Sequence, residues 1–272
     1  MEKNFLISII TPNFNRAKFL EKTILSIKNQ KYPLVEHIII DGGSTDRSIE
    51  IIKKYEGTYN LKWVSEKDEG CADAMEKGFK LATGDIFCWL DSDDIYLDGA
   101  IEKVMKIFKD NPEIDVVFGD MLICDQNDKI IDYTKRTIFD KEMLIYIGTN
   151  ISPQAAFWKR EAHEKIGGID INFKRCADYD FFCRLAESNA KFFHLKDFLA
   201  VYRHHPEQLT KSIDLCKLEA NQISKKYSDN IFGLNLKFRK IKIYFKRAFC
   251  FIKQGDLWYV LRSILKRFKI IK

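Results

Sequence analysis

The 272-residue sequence predicts an α/β fold with a mostly parallel central sheet. Three observations predict it. Apolar runs alternate with helically spaced segments through the first 120 residues, as in repeated β-α-β units. The runs are nearly continuous in Ile and Val, the pattern of strands covered on both faces. Each of the first four runs ends in a polar cluster, at the edge where such sheets bind ligands.

Taken in order, "FLISIIT" reads as the first strand and "NRAKFLEKTILSIKNQ" as a helix through Phe19, Leu20, Ile24 and Ile27. "VEHIIID" is the next strand, followed by a helix over "DRSIEIIKKY". "LKWVS" and "ADAMEKGFKLA" form a third pair, "DIFCWLD" and "LDGAIEKVMKIFKD" a fourth, and "DVVFGD" is a further strand. Beyond residue 120 the pattern is mixed. "ISPQAAFWKR" looks extended, "DYDFFCRLAE" helical, and "KFFHL" and "FLAVYRHH" strand-like.

The totals bound the function classes. Hydrophobic residues make up 46%, enough to bury a proper core, and 31% charge is ordinary for a folded chain. Seven scattered cysteines form no CxxC pair and no zinc spacing, so they read as reduced thiols in a cytosolic protein. No apolar run reaches the ~18 residues of a membrane span. "FLISII" is too short for a signal segment and reads as a strand. Neither GxGxxG nor GxxxxGK[ST] occurs, which argues against a dinucleotide fold and a P-loop ATPase.

"CWLDSDDIY" carries three acids in four positions, Asp91, Asp93 and Asp94, at the tip of an apolar strand. Carboxylates this close repel one another. Water solvates such a cluster in an ordinary turn, or a cation sits in it. Read as an extended strand, Asp91 and Asp93 point to one side. Two hard oxygen ligands there suit Mg2+ or Mn2+.

"TPNFN", "DGGSTD", "SEKDEG…DAMEKG" and "WLDSDD", in that order and spacing, resemble the family-2 inverting glycosyltransferases, which have the GT-A fold. The resemblance runs from about Ile7 to Thr210 and includes "PQAAFW", "CADYDFFCRLAE" and "VYRHHPEQLT". It implies a catalytic domain over residues 1–230, with a nucleotide-sugar half (1–120) and an acceptor half (121–230). By motif match, Thr11, Asn13 and Asn15 line the nucleotide pocket and Asp41 accepts a hydrogen bond from the base, which suits a UDP-sugar. Asp68 and Asp73 lie near the diphosphate and sugar. Asp91 and Asp93 hold the metal, with Asp94 beside them as a sugar contact or support. Asp178 is the base that takes the acceptor's proton. The family often has Glu-Asp where this chain has Ala177-Asp178, and Asp180 is a close rival. His205 matches a histidine that closes over the diphosphate. Gln154 is a substrate contact or a strand-edge polar residue. Lys67, Arg203 or the histidines are candidates to share the diphosphate charge, while His37, His163 and His194 read as structural.

The net charge of +6 hides an asymmetry: from Leu236 onward it is +11, against −5 for the preceding residues. Within 231–272, Phe238, Ile241, Phe245, Phe249 and Ile252 recur at helical spacing, then Leu257, Leu261, Ile264, Leu265 and Phe268. Such basic amphipathic helices suit an anionic membrane surface, or they cover the catalytic domain. Charge alone also permits nucleic acid, but nothing in the body supports it.

The expected protein is therefore a metal-dependent hexosyl- or N-acetylhexosaminyltransferase. The expected acceptor is a lipid-linked glycan of a bacterial surface polysaccharide or lipopolysaccharide, met at the inner face of the membrane. Two rivals stand beside it. A sugar nucleotidyltransferase has a glycine-rich loop with a basic residue after its first strand, which "TPNFNR" does not match. A silent nucleotide-sugar-binding or membrane-scaffold protein would not need Asp91, Asp93 and Asp178 together.

Overall fold

The computed structural model describes residues 4–148, 151–208, 213–228 and 234–267. The first half runs β1 (Ile7–Asn13), α1 (Ala17–Lys28), β2 (Val35–Asp41), α2 (Ser48–Tyr55), β3 (Leu61–Ser65), α3 (Cys71–Leu81), β4 (Ile86–Trp89), β5 (Ile95–Tyr96) and α4 (Ala100–Asp110). Then come β6 (Val116–Asp125), β7 (Ile130–Thr134), α5 (Lys141–Ile147), a 3-10 turn (Pro153–Ala155), β8 (Ala156–Lys159), α6 (Arg160–Lys165), α7 (Ala177–Glu187) and β9 (Phe192–His204). Three helices close the chain: α8 (Ile213–Tyr227), α9 (Leu234–Lys253) and α10 (Leu257–Arg267).

The sheet has nine strands in the order β3-β2-β1-β4-β8-β6-β9-β5, with β7 beside β6. The pairings make β1, β2, β3, β4, β6 and β9 run one way and β5, β7 and β8 the other. The sheet is thus mostly parallel, and the carboxyl ends of β1 to β4 share an edge with that of β9. "PQAAFW" is a 3-10 turn before a short strand rather than one extended run. "KFFHL" and "FLAVYRHH" join as one strand whose register slips opposite Gly119 and Asp120. A Cβ at Gly119 would sit 2.5 Å from Leu199 Cδ1, so only glycine lets β9 pass there.

Buried side chains tie the catalytic edge to the core. Phe19, Leu20, Ile24 and Ile27 are all buried on α1, as their spacing predicts. Trp89, Trp158, Phe181 and Phe182 form an aromatic cluster, with ring centroids 5.0 Å apart for Trp89–Trp158 and 4.8 Å for Trp158–Phe181. Such tilted and edge contacts suit the ring quadrupoles. The cluster seats α7 on the sheet just under the end of β4.

The tail packs on the catalytic domain and still leaves an apolar stripe in solvent. Ile243 and Phe251 are buried. Arg239 bonds Glu142 at 2.8 Å, Lys246 pairs with Asp140, and Arg262 and Lys266 both pair with Asp132. Yet Phe238, Ile241, Phe245, Phe249 and Ile252 are exposed, Phe245 by 73%. Leu257, Leu261 and Ile264 on α10 are exposed as well, with Trp258 at 68%; Phe268 lies outside the described residues. The apolar face legible in the sequence is therefore the outward one. No helix among the described residues is long and apolar enough to cross a membrane.

Candidate active site

The loops after β1 and β2 brace each other. Asp41 is wholly buried and saturated: it accepts from Asn13 Nδ2 at 2.6 Å, Ser44 N at 2.9 Å, Gly43 N at 3.1 Å and Ser65 Oγ at 2.8 Å. Asn15 has φ 52°, a left-handed conformation that asparagine tolerates, and its Oδ1 accepts from Thr45 N at 2.8 Å. Thr11 Oγ1 meets His37 Nε2 at 2.9 Å, and His37 Nδ1 meets Tyr59 OH at 2.6 Å. Burial lowers the His37 pKa to about 3, so it stays neutral and structural. Thr11, Asn15 and Asp41 thus form the floor behind a cavity of about 300 Å³, while Asn13 lines it. Asn13 Oδ1 is buried without a partner, an orphan acceptor at that wall.

Asp68 also lines the cavity. A Cβ on Gly42 would come within 2.4 Å of Asp68 Oδ2, so glycine permits the second and third loops to meet. Asp73 turns away: it accepts from Glu69 N at 3.1 Å at the start of α3 and pairs with Lys77 at 3.3 Å.

The acid loop corrects one expectation. Asp91 and Asp93 are not on an extended strand, because β4 stops at Trp89. A tight turn follows, closed by Asp94 N donating to Asp91 O at 3.0 Å. The turn, not strand alternation, brings one carboxylate oxygen each of Asp91, Asp93 and Asp94 within 4.8 Å of one another. Asp91 and Asp93 line the cavity. Asp94 lies buried behind them, with Oδ1 accepting from Arg203 N at 2.8 Å and Oδ2 without a partner. Burial, then the charge of Asp93, push the Asp91 pKa up to about 7. Burial and both neighbours push that of Asp94 well above the usual range.

Basic and amide side chains brace this turn. His205 Nε2 is 2.9 Å and Arg16 Nε 3.5 Å from Asp93 Oδ2, and Gln154 Nε2 donates to Asp91 Oδ2 at 3.2 Å. Arg203 is buried and committed to the scaffold. It donates to Asp93 O at 2.8 Å, stacks over Phe19 at 5.0 Å and pairs with Asp128. It is not turned toward the cavity, and Lys67 does not line it either. The basic residues that do are Arg16, Lys174 and Arg175. Sequence reading missed all three, although Arg16 sits inside "TPNFNR" and the others just precede "CADYD".

Asp178 stands in the first turn of α7 and lines the same cavity. Burial raises its pKa to about 6. Asp180 is two residues on, about 200° around the helix. It is fully buried, with Arg184 Nε at 2.6 Å, Tyr227 OH at 2.9 Å and Lys226 Nζ at 3.2 Å. Its lone pairs are spoken for and it faces away from the cavity.

A sheet edge whose loops surround a cavity lined by an acid turn and a further carboxylate is the frame of a GT-A glycosyltransferase. The model of Glycosyl transferase family 2 matches residues 8–167, and the chain belongs to that family. It is 30% identical over 179 residues to PGL/p-HBAD biosynthesis glycosyltransferases of Mycobacterium bovis and Mycobacterium tuberculosis, covering 65% of this chain and 68% of theirs. Its fold is similar to that of S. aureus TarS residues 1–349 in complex with UDP-GlcNAc, with TM-score 0.65, 18% identity, and 82% of this chain and 71% of that one covered. A mannosyltransferase from Pyrobaculum calidifontis in complex with GDP-Man and Mn2+ gives TM-score 0.64 at 18% identity, over 85% of this chain and 66% of that one. The protein is a glycosyltransferase.

Proposed function

We propose that the enzyme is a metal-dependent inverting transferase that moves a sugar from a UDP-sugar to a hydroxyl of a lipid-linked glycan. The observation that carries this reading is that Asp178 and the carboxylates of Asp91 and Asp93 line one cavity. The donor set fits a hard divalent cation: two cavity-facing carboxylates and a third beside them with an orphaned oxygen, with the proton affinities of Asp91 and Asp94 raised by burial and then by the neighbouring carboxylates. Asp91 and Asp93 would hold it. Bound there, Mg2+ or Mn2+ supplies Lewis-acid neutralisation of the leaving diphosphate. The Mn2+ complex of the Pyrobaculum enzyme supports that choice.

The chain's own residues do the rest. Asn13, Asp68 and Gln154 line the donor's space, with Thr11, Asn15 and Asp41 setting the loops behind them and Asp73 fixing the start of α3. Arg16 and His205 hold Asp93, and Arg16 offers positive charge near the diphosphate. Asp178 takes the acceptor proton as the hydroxyl oxygen bonds the anomeric carbon and the sugar–phosphate bond breaks on the opposite face. Direct displacement inverts the anomeric centre and requires no covalent nucleophile. A carboxylate with a pKa near 6 is well matched to this work at neutral pH.

The exposed stripe of α9 and α10 carries the acceptor claim. Phe245, Phe249 and Trp258 with flanking Lys and Arg suit the cytoplasmic surface of an anionic membrane, where a lipid-linked acceptor resides. A panel of UDP- and GDP-sugars with Mn2+ or Mg2+ tests the donor. Release of UDP that stops in EDTA is expected; release from GDP-sugars alone, or undiminished release in EDTA, would contradict the proposal.

A further inference from the structure

One buried side chain of α8 grips the backbone that leads into α7. Glu219 is 4% exposed, yet its carboxylate accepts three consecutive backbone N–H groups: Lys174 at 3.0 Å, Arg175 at 2.8 Å and Cys176 at 2.9 Å. These three residues lead directly into α7. One turn earlier on α8, Cys216 O accepts from Cys176 Sγ at 3.4 Å. Elsewhere α7 is held by its aromatic residues and by Tyr179 OH donating to Ile145 O at 2.7 Å. The body of the helix is thus fixed by the core. Its first turn, which carries Asp178, is fixed by α8.

We propose that Glu219 is a positioning residue that aims Asp178 at the acceptor hydroxyl. The proposal rests on the reading of Asp178 as the base. A carboxylate in a row of amide donors is a rigid brace, because charge-assisted bonds are strong and three of them share one side chain. Its charge also acts on Asp178. The groups facing Asp178 are Asp91 from the acid turn, Cys71 from α3, Cys176 from its own turn and Glu219 from α8. Lys174 and Arg175 line the same cavity, but among the described residues no cation lies within ion-pair distance of Asp178. Glu219 therefore adds to burial in raising the proton affinity of the base. Nothing in the acid motifs or in "CADYD" signals this residue, 41 positions downstream of Asp178.

The test is Glu219→Gln, which keeps the shape, removes the charge and turns an amide donor onto backbone donors. Calorimetric donor affinity should stay within about threefold, because the donor loops are untouched. The turnover number should fall by about 10²-fold, the scale of an ångström-size misplacement of a reacting group. The acid limb of its pH profile should move to lower pH, which a purely structural loss would not do. A folded Glu219→Gln with wild-type turnover and an unmoved limb would overturn the proposal. Should that variant fail to fold, Glu219→Asp decides, since it keeps the charge but withdraws it by one methylene. Turnover should then fall with the limb in place, and amide exchange at 174–176 should speed up; wild-type turnover and exchange would overturn the proposal. Failure of the underlying reading looks different: Asp178→Asn would itself keep turnover and the acid limb.

Discussion

The cavity is lined by two sets of carboxylates, the acid turn and Asp178, and they are braced in opposite ways. The Asp91–Asp94 turn is braced by basic residues: Arg16 and His205 on Asp93, and Arg203, whose backbone N–H donates to Asp94 Oδ1 and whose side chain donates to Asp93 O. The base turn is braced by an anion, Glu219, and no cation pairs with Asp178 among the described residues. The difference fits the role proposed for each set. A cluster meant to receive a divalent ion gains from positive groups that keep three carboxylates together until the ion arrives. A carboxylate meant to take a proton gains from burial and a like charge, which make it more basic.

The largest effect should come from breaking the acid turn. Asp91→Asn or Asp93→Asn is expected to abolish transfer and to remove any rise in melting temperature on adding Mn2+. A variant with near-normal activity in EDTA would contradict the metal assignment. Next, Asp180→Ala sharpens the contrast between the two neighbouring acids on α7. It should cost on the order of 3 kcal/mol of stability, because Arg184 is left with a broken buried pair. Its donor affinity should be intact at temperatures where it remains folded, measured by calorimetry beside a thermal melt.

The outer stripe comes third. Phe245→Ser with Phe249→Ser should weaken sedimentation with anionic vesicles by about 3 kcal/mol, roughly a hundredfold, and spare donor hydrolysis. Point changes on the exposed face serve better than truncation. Ile243, Phe251 and the Asp132 and Asp140 ion pairs tie these helices to the catalytic domain, so removing them would expose its surface. Equal vesicle binding by the double variant would place the membrane contact elsewhere.

The smallest effect concerns the base itself. The folded-state pKa of Asp178 is raised to about 6, so the wild type holds a proton that its unfolded chain releases near pH 4. Wild-type stability is therefore lost as pH rises between about 4 and 6. An asparagine there has no proton to lose. Above pH 7, Asp178→Asn should melt higher by the equivalent of on the order of 1 kcal/mol, after discounting for partial solvent access. A lower melt at pH 8 would contradict the strain assigned to this site.

Most of the donor side was legible in the sequence. Parallel strands covered on both faces announce themselves as apolar runs, and their shared direction gathers the polar loops at one edge. The ordered loops therefore located Asn13, Asp68, Asp91 and Asp93. Thr11, Asn15, Asp41 and Asp73 proved to brace the loops rather than line the cavity, since a motif names a position and not a side-chain direction. The true reason for the carboxylate convergence was hidden, because a turn after Trp89 leaves no periodic signal. Arg203, one candidate to share the diphosphate charge, is instead committed to the scaffold, because its burial depends on Phe19 and Asp128, distant in the chain. Glu219 was invisible for the same reason. The tail was half legible: helical spacing gave the stripe, but not which side would face solvent.

The account stands most directly on Asp178→Asn, measured for donor affinity and for turnover on one preparation with Mn2+ present. The substitution keeps size and most hydrogen bonding but cannot accept the acceptor's proton. UDP-sugar affinity within a few-fold of wild type, with turnover lower by roughly 10²–10⁴, is the result expected of a lost general base. Unchanged turnover in Asp178→Asn would contradict it.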